Sequence, residues 1–222
     1  MGVLFSSGIL QASGIVYSAI ATTGAAGAYL LLLRLLTATS QLSQAPFYSA
    51  LPRLTRLQAA GDHSGFVRLA AQRLSASLCL YALGSGIILL ALPYVLQFLH
   101  SSISFPPAAI SGTMVLAFFA ERYGSMHIQL YSLTRPILWH RINGASAVIA
   151  MASTAISYQF LGAASIALGF LIAFLGFYAP CTSILSFRAL DIPRWDFDRK
   201  TLAVPTSALV VVVILSAFAH RS

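Results

Sequence analysis

Three charged side chains sit deep inside apolar runs of this 222-residue chain: Arg34, Glu121 and Arg122. A charge at the centre of a bilayer costs roughly 2.5–3.5 kcal/mol, so such residues face a bundle interior or a wet cavity and mark substrate or ion paths. Arg34 follows Leu30, Leu31, Leu32 and Leu33 and precedes Leu35 and Leu36. Its side chain has no short route to either interface, and the expected role is functional. The alternatives are a structural pair with Glu121 or a snorkelled side chain. Glu121 and Arg122 are neighbours, and adjacent residues on a helix point about 100° apart. One is expected to face a cavity while the other finds a neighbouring helix. His127, four residues before Tyr131, titrates close to neutral pH and is a candidate proton relay. Glu121 and His127 are therefore the candidates for ion coupling or pairing. The bland alternative for His127 is a satisfied interfacial side chain.

Other chemistry finds little support. The carboxylates are Asp62, Glu121, Asp191, Asp196 and Asp198. Only Glu121 lies within an apolar run, so no pair of carboxylates for acid–base work assembles there. His63, His100, His140 and His220 fall in loops or at the ends of runs and share no metal-ligand spacing. Gly-x-Ser-x-Gly, a Gly-Lys-Thr phosphate loop and His-Glu-x-x-His are all missing. A retinal-binding lysine in the last apolar run is missing too, since the single Lys200 precedes it. The chain is read as a non-enzyme without cofactor or metal.

These residues must be positioned by apolar elements. The composition is 58% hydrophobic and 8% charged, with mean hydropathy +0.83. A soluble domain carries about 25% charged residues, so a soluble fold and a disordered tail are both excluded. Apolar runs fall roughly at 3–22, 26–51, 74–99, 108–130, 142–160, 164–186 and 202–219. Each approaches the ~20 residues of a spanning helix. They lack the alternation of a membrane β-barrel. The expected fold is all-α, a polytopic membrane helix bundle of about seven transmembrane helices. The first two runs are separated by a turn at Thr22-Thr23-Gly24. The first run is read as a span, because a signal peptide wants a basic start and the first arginine is Arg34.

Charge orients the bundle. Twelve of the 13 basic residues are arginine. Arg53, Arg56, Arg68 and Arg73, then Arg135 and Arg141, then Arg188, Arg194, Arg199 and Lys200 occupy alternate connections. With alternating spans they share one side, and the opposite side keeps only Arg221. The positive-inside rule then puts the N-terminus in the cytoplasm and the C-terminus outside. Basic residues scattered between apolar runs do not form a nucleic-acid surface, and the expected contact is membrane lipid. The stretch from Pro52 to Arg73 reads as two short amphipathic helices on the inner leaflet, joined at Gly61-Asp62. Trp195 reads as an interfacial anchor in the connection 187–201. Gly162, Gly169 and Gly176 are spaced by seven, which places them near one helix face and allows close helix approach. Pro46, Pro93 and Pro180 lie where helices bend. Cys79 and Cys181 lie inside apolar runs and are read as small packing residues.

The segment from Gly27 to Leu99 resembles part of a known pattern. Gly27, Tyr29 and Arg34 open a helix that leads to Pro52, Arg53 and Arg56. Gly61 and Asp62 follow in a loop, and another helix carries Pro93 near its end. This is similar to the second half of polysaccharide flippases of the multidrug/oligosaccharidyl-lipid/polysaccharide exporter superfamily. The stretch QLYSLTRPILWHRINGASAVI looks like that family's connector between the fourth and fifth helices of the half, and the likeness covers roughly 1–186. It implies a six-helix transmembrane lobe at 1–186, followed by a cytoplasmic linker and one additional helix at 187–222. It implies transport of a polyprenyl-diphosphate-linked oligosaccharide across the inner membrane by alternating access, for surface polysaccharide. By matching position, Arg34 would contact the diphosphate, with Arg122 a second candidate. Only the second lobe is present, so a separate first-lobe chain or self-association would complete the cavity, unless the product is truncated. The competing expectation is a non-transporting scaffold or accessory subunit of a polysaccharide assembly complex.

Overall fold

A computed structural model describes residues 13–19, 23–101, 103, 105–135 and 139–219, and among these there is no strand. Helix α1 covers Thr23–Ser43 and is followed by the short helices α2, Ala45–Tyr48, and α3, Leu51–Ala59. The long α4 is His63–Phe98, α5 is Ala108–Ser132 and α6 is Trp139–Leu161. The chain then reverses through Gly162–Ala164 into α7, Ser165–Leu171. A π-helical segment, Ile172–Tyr178, leads to α8, Ala179–Leu190, and α9 is Arg194–Ala219.

Four helical stretches are long and apolar enough to cross a membrane: Gly24–Ala59, His63–Phe98, Trp139–Leu190 and Arg194–Phe218. The third is a hairpin. Gly162 takes φ +52°, a left-handed conformation that glycine adopts without strain. Its arms then pack so closely that a Cβ on Gly169 would stand 2.7 Å from the Ala150 carbonyl oxygen. Of the seven expected runs, those from 26–51 onward each fall on helix. The first lies largely outside the described residues, and of the turn assigned to Thr22-Thr23-Gly24 the last two residues already belong to α1. Residues 13–19 are helical, and Tyr17 stacks on Tyr29 with ring centroids 4.1 Å apart.

Helix α5 sits at the centre, touching α1, α4, α7, α8 and α9. Its 25 residues could cross a bilayer by length. It is not among the four apolar stretches, and it carries the buried Arg122, Tyr123 and His127 into the protein interior. The outer helices instead expose Leu83, Ile87, Val148, Ile156, Phe160 and Leu215. An apolar exterior around a polar-bearing central helix is the inverse of a water-soluble fold. The chain is thus an all-helical bundle of membrane-like character.

Local chemistry sets the helix ends. Gly61, at φ +72°, turns the chain between α3 and α4. Asp62 then caps α4, its carboxylate accepting from the Gly65 amide at 2.9 Å and from the Ser64 hydroxyl at 3.1 Å. The Gly65 amide first, and then the Ser64 hydroxyl, hold the Asp62 carboxyl below its ordinary range. Asp191 ends α8 in a left-handed turn at φ +50°, and Pro193 prevents continuation.

Several expectations change here. The first amphipathic helix exists as α3, with Leu54 buried and Arg53 and Arg56 exposed, but the second is simply the first turns of α4. Asp62 caps the long helix directly, so nothing breaks it before the apolar run. The connection placed at 187–201 shortens in the same way, since α9 begins at Arg194 with Trp195 exposed. Helix α9 packs along α4 and α5, and Phe197 and Leu209 join the common core. The glycine stripe does not form one contact face. Gly162 is in the turn, Gly169 meets α6, and Gly176 has nothing within 4 Å of a would-be Cβ. The π-segment between Gly169 and Gly176 adds residues per turn and breaks the sevenfold register. Cys79 and Cys181 are free thiols, each half-buried.

Candidate functional site

A cavity of about 280 Å³ lies between α1, α2, α5, α6 and the segment 170–178. It starts at mid-helix residues Phe118, Ala150 and Phe170. From there it runs toward the end of the bundle where Tyr48 and Trp139 border it. That same end gathers the α3–α4, α5–α6 and α8–α9 connections, as contacts across it show. Gln129 donates to the Tyr48 hydroxyl at 3.0 Å, and the Tyr123 hydroxyl donates to Asp198 at 2.6 Å.

The floor of the cavity is an ion pair. Arg122 Nη2 lies 2.9 Å from Glu121 Oε2, with the Arg122 side chain 7% exposed and that of Glu121 23%. Arg122 also donates to the Ser40 hydroxyl, through Nε at 3.0 Å and Nη2 at 2.6 Å. The expectation that the two neighbours diverge is corrected. The 100° offset fixes where their Cβ atoms point, but a guanidinium on a long stem curls back to its neighbour's carboxylate. Pairing of Glu121 with Arg34 is not made, because Arg34 is exposed and lies outside the cavity lining.

Around the pair the walls are mixed. Gln41, Gln44 and Asn143 supply amides, and Phe174, Tyr178 and Trp139 supply rings. Several hydroxyls already spend their hydrogen on backbone carbonyls: Thr37 on Leu33, Ser125 on Arg122 and Ser146 on Ile142. The buried Trp139 Nε1–H has no acceptor among the described residues. Two backbone features shape the space. Gly124 lets Tyr178 approach, since a Cβ there would stand 2.6 Å from Tyr178 Cδ1. Pro180 has no N–H for the Gly176 carbonyl, which favours the π-helical widening just before it. That widening carries Phe174 and Tyr178 into the cavity wall.

Sequence reasoning named four site residues, and the structure separates them. Glu121 and Arg122 both line the cavity. Arg34 is exposed and is not among the lining residues. It stands one turn before Thr37 and seven residues before Gln41, so it continues the same face of α1 beyond the lining residues. Among the described residues it has no hydrogen-bond or ion-pair partner. His127 lies on the far side of α5, fully buried and packed by Tyr123, Phe187 and Phe197 at centroid distances of 4.4, 4.9 and 5.8 Å. Its Nδ1 is 2.6 Å from the Ser186 hydroxyl and its Nε2 has no partner among the described residues. It is a core histidine and does not line the cavity. The reading missed Ser40, Gln41, Gln44 and Asn143. Their signal was present, because amides inside an apolar helix are costly unless they face protein or water.

No protein-family model, no curated protein and no solved structure matches this chain.

Proposed function

We propose that this chain is one lobe of a membrane transporter. Its cargo is a polyprenyl-diphosphate-linked oligosaccharide, flipped across the inner membrane by alternating access for surface polysaccharide. The observation that carries the reading is the polar cavity at Glu121–Arg122, set within a bundle whose exterior is apolar. A scaffold needs packed helices but has no use for a cavity lined by an ion pair and side-chain amides. In this reading the basic end faces the cytoplasm, where Arg-rich connections are retained, and the cavity is open to that side. The oligosaccharide enters there. Arg34, farther along the same face of α1, takes the diphosphate, since a guanidinium fork matches phosphate oxygens. The seven-span topology, with the N-terminus inside and the C-terminus outside, belongs to this proposal.

Alternating access needs a second bundle against which this one rocks. The test uses a bacterial strain lacking its own polysaccharide flippase. The chain is expressed alone and together with a first-half chain from a related flippase. Surface polysaccharide is expected only from the pair. Restoration by the chain alone as a monomer overturns the two-lobe reading. Failure of both supports the alternative, a non-transporting accessory subunit of a polysaccharide assembly complex.

A further inference from the structure

We infer that the cavity holds an uncharged sugar ring, with Glu121 and Asn143 as its polar contacts, and that the phosphate of the cargo binds elsewhere. This deepens the transporter reading and rests on it for the occupant being a glycan. Arg122 is the second candidate phosphate ligand. Its charge is neutralised at 2.9 Å by Glu121, and two of its three guanidinium nitrogens are held by Ser40 and Glu121. A phosphate entering here would meet the Glu121 carboxylate as well, and like charges in a site of low dielectric repel strongly. The ion pair makes the floor neutral overall.

What the floor and walls still offer is hydrogen bonding. Glu121 accepts from Arg122 through Oε2, and its partly exposed carboxylate retains acceptor capacity toward the cavity. Trp139 borders the cavity with its ring, its own Nε1–H being shut off from the open space. Asn143 lines the same side as Trp139, one turn along α6. A ligand hydroxyl both donates and accepts, so adjacent ring hydroxyls satisfy the Glu121 carboxylate and the Asn143 amide together. The faces of a pyranose are C–H surfaces and lie against aromatic rings such as Phe174 and Tyr178. Size agrees. At about 280 Å³ the cavity is at the lower edge of the ~300–1,000 Å³ typical of ligand pockets. That suits a ring-sized group and excludes a whole glycan.

The experiment uses the full chain in lipid nanodiscs, free of sugar-headgroup detergent. Trp195, the other tryptophan, is 79% exposed, and Trp195→Phe leaves Trp139 as the sole reporter. A panel of neutral methyl glycosides (gluco, galacto, manno, rhamno and N-acetylglucosaminyl) is titrated against its emission, with inorganic pyrophosphate as the anionic probe. At least one glycoside is expected to change the emission saturably, and pyrophosphate to leave it unchanged. Glu121→Gln is expected to weaken the glycoside at least tenfold. Asn143→Leu leaves the ion pair in place and is expected to weaken it as well, which covers the case in which Glu121→Gln does not fold. The inference is overturned if no glycoside saturates, if pyrophosphate saturates, or if the folded variants bind as the parent does. The two readings fail separately. Pyrophosphate binding with intact polysaccharide rescue removes this inference and keeps the transporter. Glycoside binding without rescue keeps the sugar site and removes transport.

Discussion

At the scale of single residues, the Glu121–Arg122–Ser40 cluster decides most. Removing one member of a buried pair strands the other, which is worse than removing both. Arg122→Met leaves Glu121 in the cavity floor without its cation, and should lower stability by about 3 kcal/mol. Arg122→Met combined with Glu121→Gln should recover most of that loss. Thermal unfolding in detergent measures both, and a double variant no better than the single one would refute the argument. Sequence alone showed that these charges were inside the bundle, because an apolar run cannot present them to lipid cheaply. It could not show that they pair with each other. Helical direction separates neighbours, and only the length of the arginine stem and the position of Ser40 on another helix close the gap. His127 illustrates the opposite failure. Its titration range suggested chemistry, but the three rings and Ser186 that enclose it come from elements more than 50 residues away or from its own helix.

At the scale of elements, length and hydropathy located the helices well, because helices in lipid must satisfy their own backbone and leave few alternatives. What they did not reveal was the shape of those helices. The π-segment at Ile172–Tyr178 depends on Pro180 and on the room that Gly124 leaves across the interface. Gly124→Ala puts a methyl 2.6 Å from Tyr178 Cδ1, an overpacking expected to cost about 1–3 kcal/mol. Gly144→Ala meets nothing within 4 Å and should raise stability by up to ~1 kcal/mol through helix propensity. Unfolding midpoints that move in the same direction for both would contradict the packing account. The Gly61-Asp62 turn was legible because each residue has a local reason to be there. Its cap also has a sign with pH. The folded carboxyl is depressed, so its contribution is complete above the unfolded carboxylate pKa and fades as pH falls through the depressed value. Protection of the Gly65 amide, corrected for intrinsic exchange, should fall over that acid range in the parent. In Asp62→Ala it should be low and flat.

At the scale of the whole molecule, two features point to an assembly. The first is the gathering of the α3–α4, α5–α6 and α8–α9 connections, with their arginines, at one end of the bundle. In the seven-span topology, a reporter active only in the periplasm should work after Arg221 and stay silent when inserted at residue 60. The second is Arg34. It is exposed on α1, as is Leu30 one turn before it, and among the described residues nothing neutralises it. A lipid-facing arginine at mid-span costs roughly 2.5–3.5 kcal/mol. Continuity with Thr37 and Gln41 places it on the cavity's side of the helix instead, where water or a second bundle can reach it. A cysteine at position 34, in a Cys79→Ser and Cys181→Ser background, tests this in intact membranes. Thiols ionise and react in water but not in hydrocarbon. A membrane-impermeant reagent should therefore label Arg34→Cys when the chain is expressed alone, and label it several-fold more slowly once a first-half chain covers that face. Absence of labelling in the chain alone would put Arg34 against lipid or sealed within protein, and the transport path drawn along α1 would fall with it.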